Sequence, residues 1–512
     1  MGYGARALCL GAWCLAVPAA ARAQLAPVGA PAGVLRFELD GAFDSWDKRF
    51  RDGQKEGLGA SFTSPALGSD LLPLATYDAI LQRVTGLGTA RLNLGALTTD
   101  AQAEVATAIL GLTLGLTRNI AVFGRLPLSR ARVQSDIDLG AGANAGFNPG
   151  TAAQEPFFTQ FDAALITLET QIEAGAYDGD PARRALADAT LADGNALFGD
   201  LFTLLGDPAT ASALVPTSGS DVGTAIGSRV STLQTTLGTG LGVGGFVTGP
   251  ALPTETIAGA DLEALLSDPT AAIGIQTGES EVMYRGDAEA GLTLTIADRW
   301  DVGTRKGGFR AAAEGLVRFP TGVRARTDRA FAIGTGDGQT DVEVRGTVDL
   351  GSGNLGVRLE GGYNRQLAAD IATRVAPPSQ AFPARSLLTN VRLDPGDVTT
   401  LAVRPFFRLA RSLALIGGLE HWSKGVDEVE YASEVDAIPG VEASVLALDT
   451  DASATVVSVG LTYSNPGALR PGGAGLPVDA GWTYERVISA SGGIVPDVHR
   501  VRARLRLYFN LW

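Results

Sequence analysis

The chain has 512 residues, is 45% hydrophobic and 19% charged, and carries a formal net charge of −14 with two cysteines and two histidines. An acidic balance of that size opposes binding to a nucleic-acid backbone. With only His421 and His499, no paired-histidine or histidine–glutamate spacing exists for a metal, so neither metal nor cofactor is expected.

Residues 1–23 read as a signal peptide. Arg6 supplies the charge, Ala7 to Ala20 the apolar stretch, and Ala21-Arg22-Ala23 the small-residue cleavage pattern before Gln24. The stretch is too short for a spanning helix. Cys9 and Cys14 both fall inside it, and Trp13 is too bulky for a lipid-acceptor site. The exported chain then has no cysteine and holds together without disulfides.

From there the chain alternates apolar and polar residues with period two, the signature of strands. Twelve segments show it, at 33–45, 103–116, 119–130, 284–297, 308–320, 339–350, 354–366, 396–410, 412–424, 452–465, 477–488 and 498–511. One phase is greasy throughout, as in Leu110, Leu112, Leu114 and Leu116, or Val342, Val344, Val348 and Leu350. The other is polar or small, as in Asp341, Glu343, Arg345, Thr347 and Asp349.

A soluble sandwich would bury the greasy phase, and a membrane barrel would turn it to lipid. Segment length separates them. These run longer than the roughly 5–6 residues of a soluble strand, and a tilted membrane strand needs about 9–11. Connections also alternate between tight turns, such as Thr117-Arg118-Asn119 and Gly351-Ser352-Gly353, and long loops. That asymmetry belongs to outer-membrane barrels, with short turns inside and long loops outside. The expected fold is an all-β transmembrane barrel of about twelve antiparallel strands, with fourteen as the alternative count, in the outer membrane of a Gram-negative cell.

The stretch 131–282 departs from this pattern. It holds 19 acidic residues against four arginines and no lysine. Its apolar residues recur at helical spacing, in Phe157, Phe161, Leu165, Leu168 and Ile172, and again in Val222, Ile226, Val230, Leu233 and Leu237. An acidic α-helical insertion is expected there, as an extracellular cap. A short helix over 76–84 is expected in the first long loop, with Thr76 as N-cap. The domain reading is a signal peptide at 1–23, barrel strands one to three with a long first outer loop at 24–130, the insert at 131–282, and strands four to twelve at 283–512.

The final segment, "HRVRARLRLYFNLW", places arginine at 500, 502, 504 and 506. An arginine on the lipid face costs about 2–4 kcal/mol at mid-membrane. The ladder of Arg500, Arg502, Arg504 and Arg506 must therefore face the lumen. Barrel closure sets the last strand beside the first, whose inward phase is Arg36, Glu38, Asp40 and Asp44. The preceding strand offers Asp479 and Glu485. Either carboxylates on both neighbours pair with the ladder and zip the seam, or the ladder lines a solvated lumen wall without fixed pairs. Arg358, Glu360, Arg404 and Arg408 complete the lumen-lining candidates.

No catalytic residue is expected. His421 lies beside Trp422 and Ser423, but no nucleophile-elbow glycine pattern surrounds any serine. The segments "GLTLGLTRNIAVFGRLPL" (111–128) and "GTGDGQTDVEV" (334–344) resemble outer-membrane uptake barrels of the long-chain fatty-acid and phenol-degradation transporter type. The resemblance implies fourteen strands and passive passage of small apolar molecules. Trp512 resembles the aromatic C-terminus that barrels present to their insertion machinery.

Three functions stay open at this point. The first is a passive uptake channel for small, even apolar, molecules. The second is a sealed structural or surface-binding barrel displaying its helices to partners, and the third an outer-membrane hydrolase. The expected partners are outer-membrane lipid, the insertion machinery through the C-terminal strand, and an unidentified small solute. A monomer is expected.

Overall fold

The computed structural model describes residues 28–69, 72, 74–268, 272–301, 307–377, 380–410, 412–465 and 477–511. The signal segment with Cys9 and Cys14, and the terminal Trp512, lie outside the described residues.

Twelve strands make a closed antiparallel ring: β1 (Val34–Trp46), β2 (Leu97–Gly115), β3 (Ile120–Leu139), β4 (Ala288–Asp301), β5 (Gly307–Phe319), β6 (Asp341–Ser352), β7 (Leu355–Gln366), β8 (Val398–Arg408), β9 (Leu413–Lys424), β10 (Ala452–Ser464), β11 (Val478–Gly492) and β12 (His499–Asn510). Each pairs with its sequence neighbours, and β12 returns to β1 in unbroken register from Val34↔Asn510 to Ser45↔His499. One further strand, Ser280–Arg285, adds to the upper part of β3. Closure leaves no unpaired edge in the ring, the condition a sheet must meet to sit in lipid.

Side chains divide by phase as the sequence requires. On β12, Val501, Leu505 and Phe509 are exposed, whereas Arg500, Arg506 and Tyr508 are buried. On β8, Leu401, Val403 and Phe407 are exposed and Thr400, Ala402, Arg404, Phe406 and Arg408 buried. The same split holds on β6 and β9. An exposed girdle of leucine, valine and aromatic residues around a closed ring is a membrane-facing surface. The protein is therefore an outer-membrane β-barrel.

Among the described pairings, bulges interrupt the alternation at Ala311/Ala312 in the β4–β5 pair and at Thr455/Val456 in the β10–β11 pair. The tight turn between β2 and β3 is held by Thr117, whose Oγ1 accepts from the amides of Asn119 and Ile120 at 3.2 and 3.0 Å. Gly353, at φ +60°, makes the two-residue turn between β7 and the strand before it. At the opposite end the loops are long and carry small sheets of their own. One joins Ala369–Arg374, Leu388–Asp394 and Glu428–Tyr431 over a core of Ile371, Val375, Val391 and Ala443.

The chain divides into two compact units, one of 1–61, 99–136 and 269–512, and a second of 62–98 and 137–268. The second holds five helices: α1 (Ala75–Thr85), α2 (Thr151–Glu173), α3 (Pro181–Leu201), α4 (Asp221–Thr235) and α5 (Gly259–Ser267). Its centre is aromatic, with Phe161 stacked on Phe246 at 4.7 Å and edge-on to Phe198 at 5.3 Å. Asp180 caps α3 by accepting from the amides of Ala182 and Arg183, ahead of Pro181. Ser220 caps α4 through Gly223.

Residues 62–98, read from sequence as barrel loop, pack into this helical unit. Arg83 of α1 grips Asp200 of α3 at 2.6 and 3.1 Å, and Asp78 accepts from the amide of Leu92. The helix 76–84 exists but starts at Ala75. Its cap position is Leu74, without a side-chain bond, and Thr76 sits inside the first turn. The expectation of a Thr76 cap is corrected accordingly.

Candidate functional site: a charge-lined lumen

The inward phase of each strand converges on the barrel axis, and its charges are arranged in pairs. At the closure seam Arg500 holds Asp44 with two hydrogen bonds, Nε to Oδ1 at 2.5 Å and Nη2 to Oδ2 at 2.8 Å. Arg504 Nε donates to Asp40 at 2.9 Å. The alternate rungs are looser. Arg502 lies 3.7 Å from Glu485 and Arg506 3.7 Å from Glu38, both ion pairs beyond hydrogen-bond reach. Glu485 is also 3.8 Å from Arg500. Arg36 contacts Glu38 directly and donates to Thr113 at 3.2 Å. Asp479 accepts from Ser464 at 2.5 Å and from the Tyr508 hydroxyl.

Across the ring, Arg404 bridges two strands, bonding Glu360 at 2.7 Å and Glu420 at 2.5 Å. Arg358, 1% exposed, is bidentate on Asp349 at 2.5 and 2.7 Å and lies 3.9 Å from Glu360. Arg408 differs from the others. Its Nη1 reaches only the Gly353 carbonyl, at 3.4 Å, and the guanidinium lies over the Trp300 ring. Trp300 packs in turn on Phe406, Ala414 and Ile416, an apolar cluster near the short-turn end. The sequence candidates form two groups, the seam and the β7–β8 wall.

The sequence candidates did not include a third group on β3–β6. Arg125, Glu289, Arg318, Glu343, Arg345 and Glu314 follow one another as alternating charges. Successive separations are 3.2, 3.1 and 3.4 Å to Glu343, a direct contact to Arg345, then 3.4 Å, with 3.7 Å from Glu314 back to Arg125. The circuit closes on itself, and Asp341 braces Arg318 from outside it at 2.5 Å. The alternating phase contained the signal. Pairing partners, however, depend on register between strands far apart in sequence.

Residues 28–33 also enter the lumen. Arg36 Nη1 donates to the carbonyls of Val28 and Gly29 at 3.0 and 3.3 Å, and Gly29 lies against Thr293, Thr295 and Ala121. Gly33, at φ +71°, bonds Gly115 and Leu511 and turns the strap into β1. A Cβ on Gly115 would stand 1.8 Å from the Pro31 carbonyl oxygen, so the close approach requires glycine there.

Between the β5–β9 wall and Val28 a recess of about 40 Å³ remains. Near the long-loop end, Asp287 accepts from the amides of Gly322 and Asp337 at 2.8 and 3.4 Å. Asp337 accepts from Gln339 and Gln366. Burial, with Asp341 close by, pushes the Asp337 carboxyl up to about 6. The two histidines point outward: His421 Nδ1 is 3.2 Å from the Thr455 hydroxyl and His499 Nδ1 2.7 Å from that of Tyr484.

These features define the chain as an outer-membrane barrel with a charge-lined, partly occupied interior. No known protein family matches the sequence, and no curated relative does. Among solved structures, the chain is similar to an outer membrane channel from Pseudomonas putida F1 (10% identity, 95% of this chain and 100% of that one, TM-score 0.42). It is also similar to the monoaromatic hydrocarbon channel CymD (9% identity, 94% and 88% covered, TM-score 0.27) and to a Pseudomonas aeruginosa FadL homologue (8% identity, 94% and 90% covered, TM-score 0.25).

Proposed function

We propose that the protein is a passive channel admitting small molecules through the barrel. The observation that carries this reading is the recess inside a closed ring whose wall carries most of its charges in ion pairs. A wall of matched charges presents water-compatible surface without a large single-sign barrier. The acidic stretch 131–282 adds a negative field that disfavours anions. Reconstitution into planar bilayers tests the proposal: discrete conductance steps support it. Their absence, both in the intact protein and after removal of residues 24–32, overturns it.

A second reading, a sealed barrel displaying the helical unit, is favoured by one feature. At the short-turn end the strap, Arg36, Arg358 and the Trp300–Phe406 cluster fill the interior. A silent barrel whose helical unit captures a partner would establish that alternative.

A further inference from the structure

The recess has a chemical bias. It exists because Gly362, Thr347, Thr400 and Ala402 offer little side chain there; a Cβ built at Gly362 meets nothing nearer than 3.7 Å. Its charged lining is Glu314, Glu343, Glu360 and Glu420 against Arg345 and Arg358. The guanidinium edges are already occupied. Arg345 places Nε and Nη2 on Glu343 and Nη1 on Glu314 at 3.4 Å, and Arg358 places Nε and Nη2 on Asp349.

The carboxylates retain capacity. An ionised carboxylate accepts about four hydrogen bonds. Glu420, 7% exposed, accepts among the described residues from Arg404 alone, on Oε2. Glu485 stands within electrostatic reach of Glu420. It is 6% exposed, and its buried Oε1 has no hydrogen-bond partner among the described residues. What this part of the wall leaves unused is acceptor oxygen rather than donor hydrogen.

We propose that the recess is a transit site for a small organic cation bearing a primary ammonium, received by Glu420 and Glu360. The inference rests on the channel reading for its transport role, but the binding site can be tested apart from it. An ammonium suits the place: it is compact, brings three donors and no acceptor, and adds positive charge where Glu360 and Glu420 share the single guanidinium of Arg404. Thr347 and Thr400 hydroxyls can accept from the same group. An anion would find the nearby guanidiniums committed.

The test uses butylammonium as probe and benzoate as its anionic counterpart, with the full folded chain in detergent. Saturation-transfer NMR reads binding, and planar bilayers read block of potassium current. Butylammonium should bind and block from either side, and benzoate should do neither. Glu420→Gln should weaken butylammonium about tenfold, the loss of one charge-assisted acceptor. Gly362→Leu, which fills the recess without changing charge, should abolish binding while the barrel keeps its folded gel mobility. Benzoate binding as tightly as butylammonium, or both variants binding butylammonium like the parent, overturns the site. The expected binding pattern in a barrel that passes no current would support the site and overturn the channel reading.

Discussion

Replacing Asp44 with alanine tests how the barrel is closed. Arg500 and Asp44 are joined by two hydrogen bonds across the β12–β1 seam, and their side chains are 10% and 11% exposed. Without Asp44, Arg500 keeps only Glu485 at 3.8 Å. Stranding one member of a buried pair costs roughly 3–5 kcal/mol. The residual exposure and the nearby Glu485 place this case at the low end, about 3 kcal/mol. Arg502→Met, two residues along the same ladder, removes only a 3.7 Å contact without a hydrogen bond. Because no hydrogen bond is lost and Glu485 keeps Arg500 at 3.8 Å, the cost should be on the order of 1 kcal/mol. The double variant Asp44→Ala/Arg500→Met no longer buries a lone charge and should recover more than half of the loss. Urea unfolding in lipid vesicles, followed by tryptophan fluorescence, measures all three. Equal costs for Asp44→Ala and Arg502→Met, within about 0.5 kcal/mol, would refute the view that bidentate geometry rather than the ladder's total charge holds the seam.

Other outcomes follow from the strap, the loops and the helical unit. Gly115→Ala, whose Cβ collides with the Pro31 carbonyl, should displace residues 28–33 and raise conductance, as should deletion of 24–32; unchanged currents in both would show that the strap does not obstruct the lumen. Both cysteines of the sequence lie within residues 1–23, so Gly29→Cys with Thr293→Cys, whose Cβ and Cγ2 positions are 3.6 Å apart, should form a disulfide on oxidation and hold the strap inside. Failure to cross-link in the folded barrel would place the strap elsewhere. Asp337 keeps its proton up to about pH 6 in the folded loop, against about 3.8 when unfolded, so its contribution is complete below pH 4 and declines as pH rises to 6. Hydrogen-exchange protection over 321–340, taken relative to the intrinsic rate at each pH, should fall across that window in the parent and stay flat in Asp337→Asn; a parent without the slope contradicts this. Replacing 137–268 with a short glycine–serine linker should leave a barrel with folded gel mobility, and loss of folding would show that the ring depends on the insert.

The ring was legible in the sequence because lipid imposes a rule on every second residue. A charge such as Arg504 cannot share a phase with Leu505, so phase alone identifies which residues face inward. Twelve segments in the sequence become twelve strands. What phase does not carry is register. The seam could be anticipated, since closure makes β1 and β12 neighbours. The circuit through Arg125, Glu289, Arg318, Glu343, Arg345 and Glu314 depends on how four strands align. The strap was illegible for a different reason. Val28–Gly33 has no periodicity, and its place in the lumen is fixed by Arg36 bonds to backbone carbonyls that any residue would offer. The small sheets in the long loops have strands of 3–7 residues, too short for alternation to register. Residues 62–98 join the helical unit through contacts such as Arg83 to Asp200, separated by 117 positions.

The account depends on the orientation of each strand about the membrane. Single cysteines along 501–507, spin-labelled in lipid vesicles, measure it directly. Labels at Val501, Ala503, Leu505 and Leu507 should be quenched by lipid-soluble oxygen, and labels at Arg502, Arg504 and Arg506 should be shielded from it. The reverse pattern, with the arginine positions in contact with lipid, would contradict the barrel assignment.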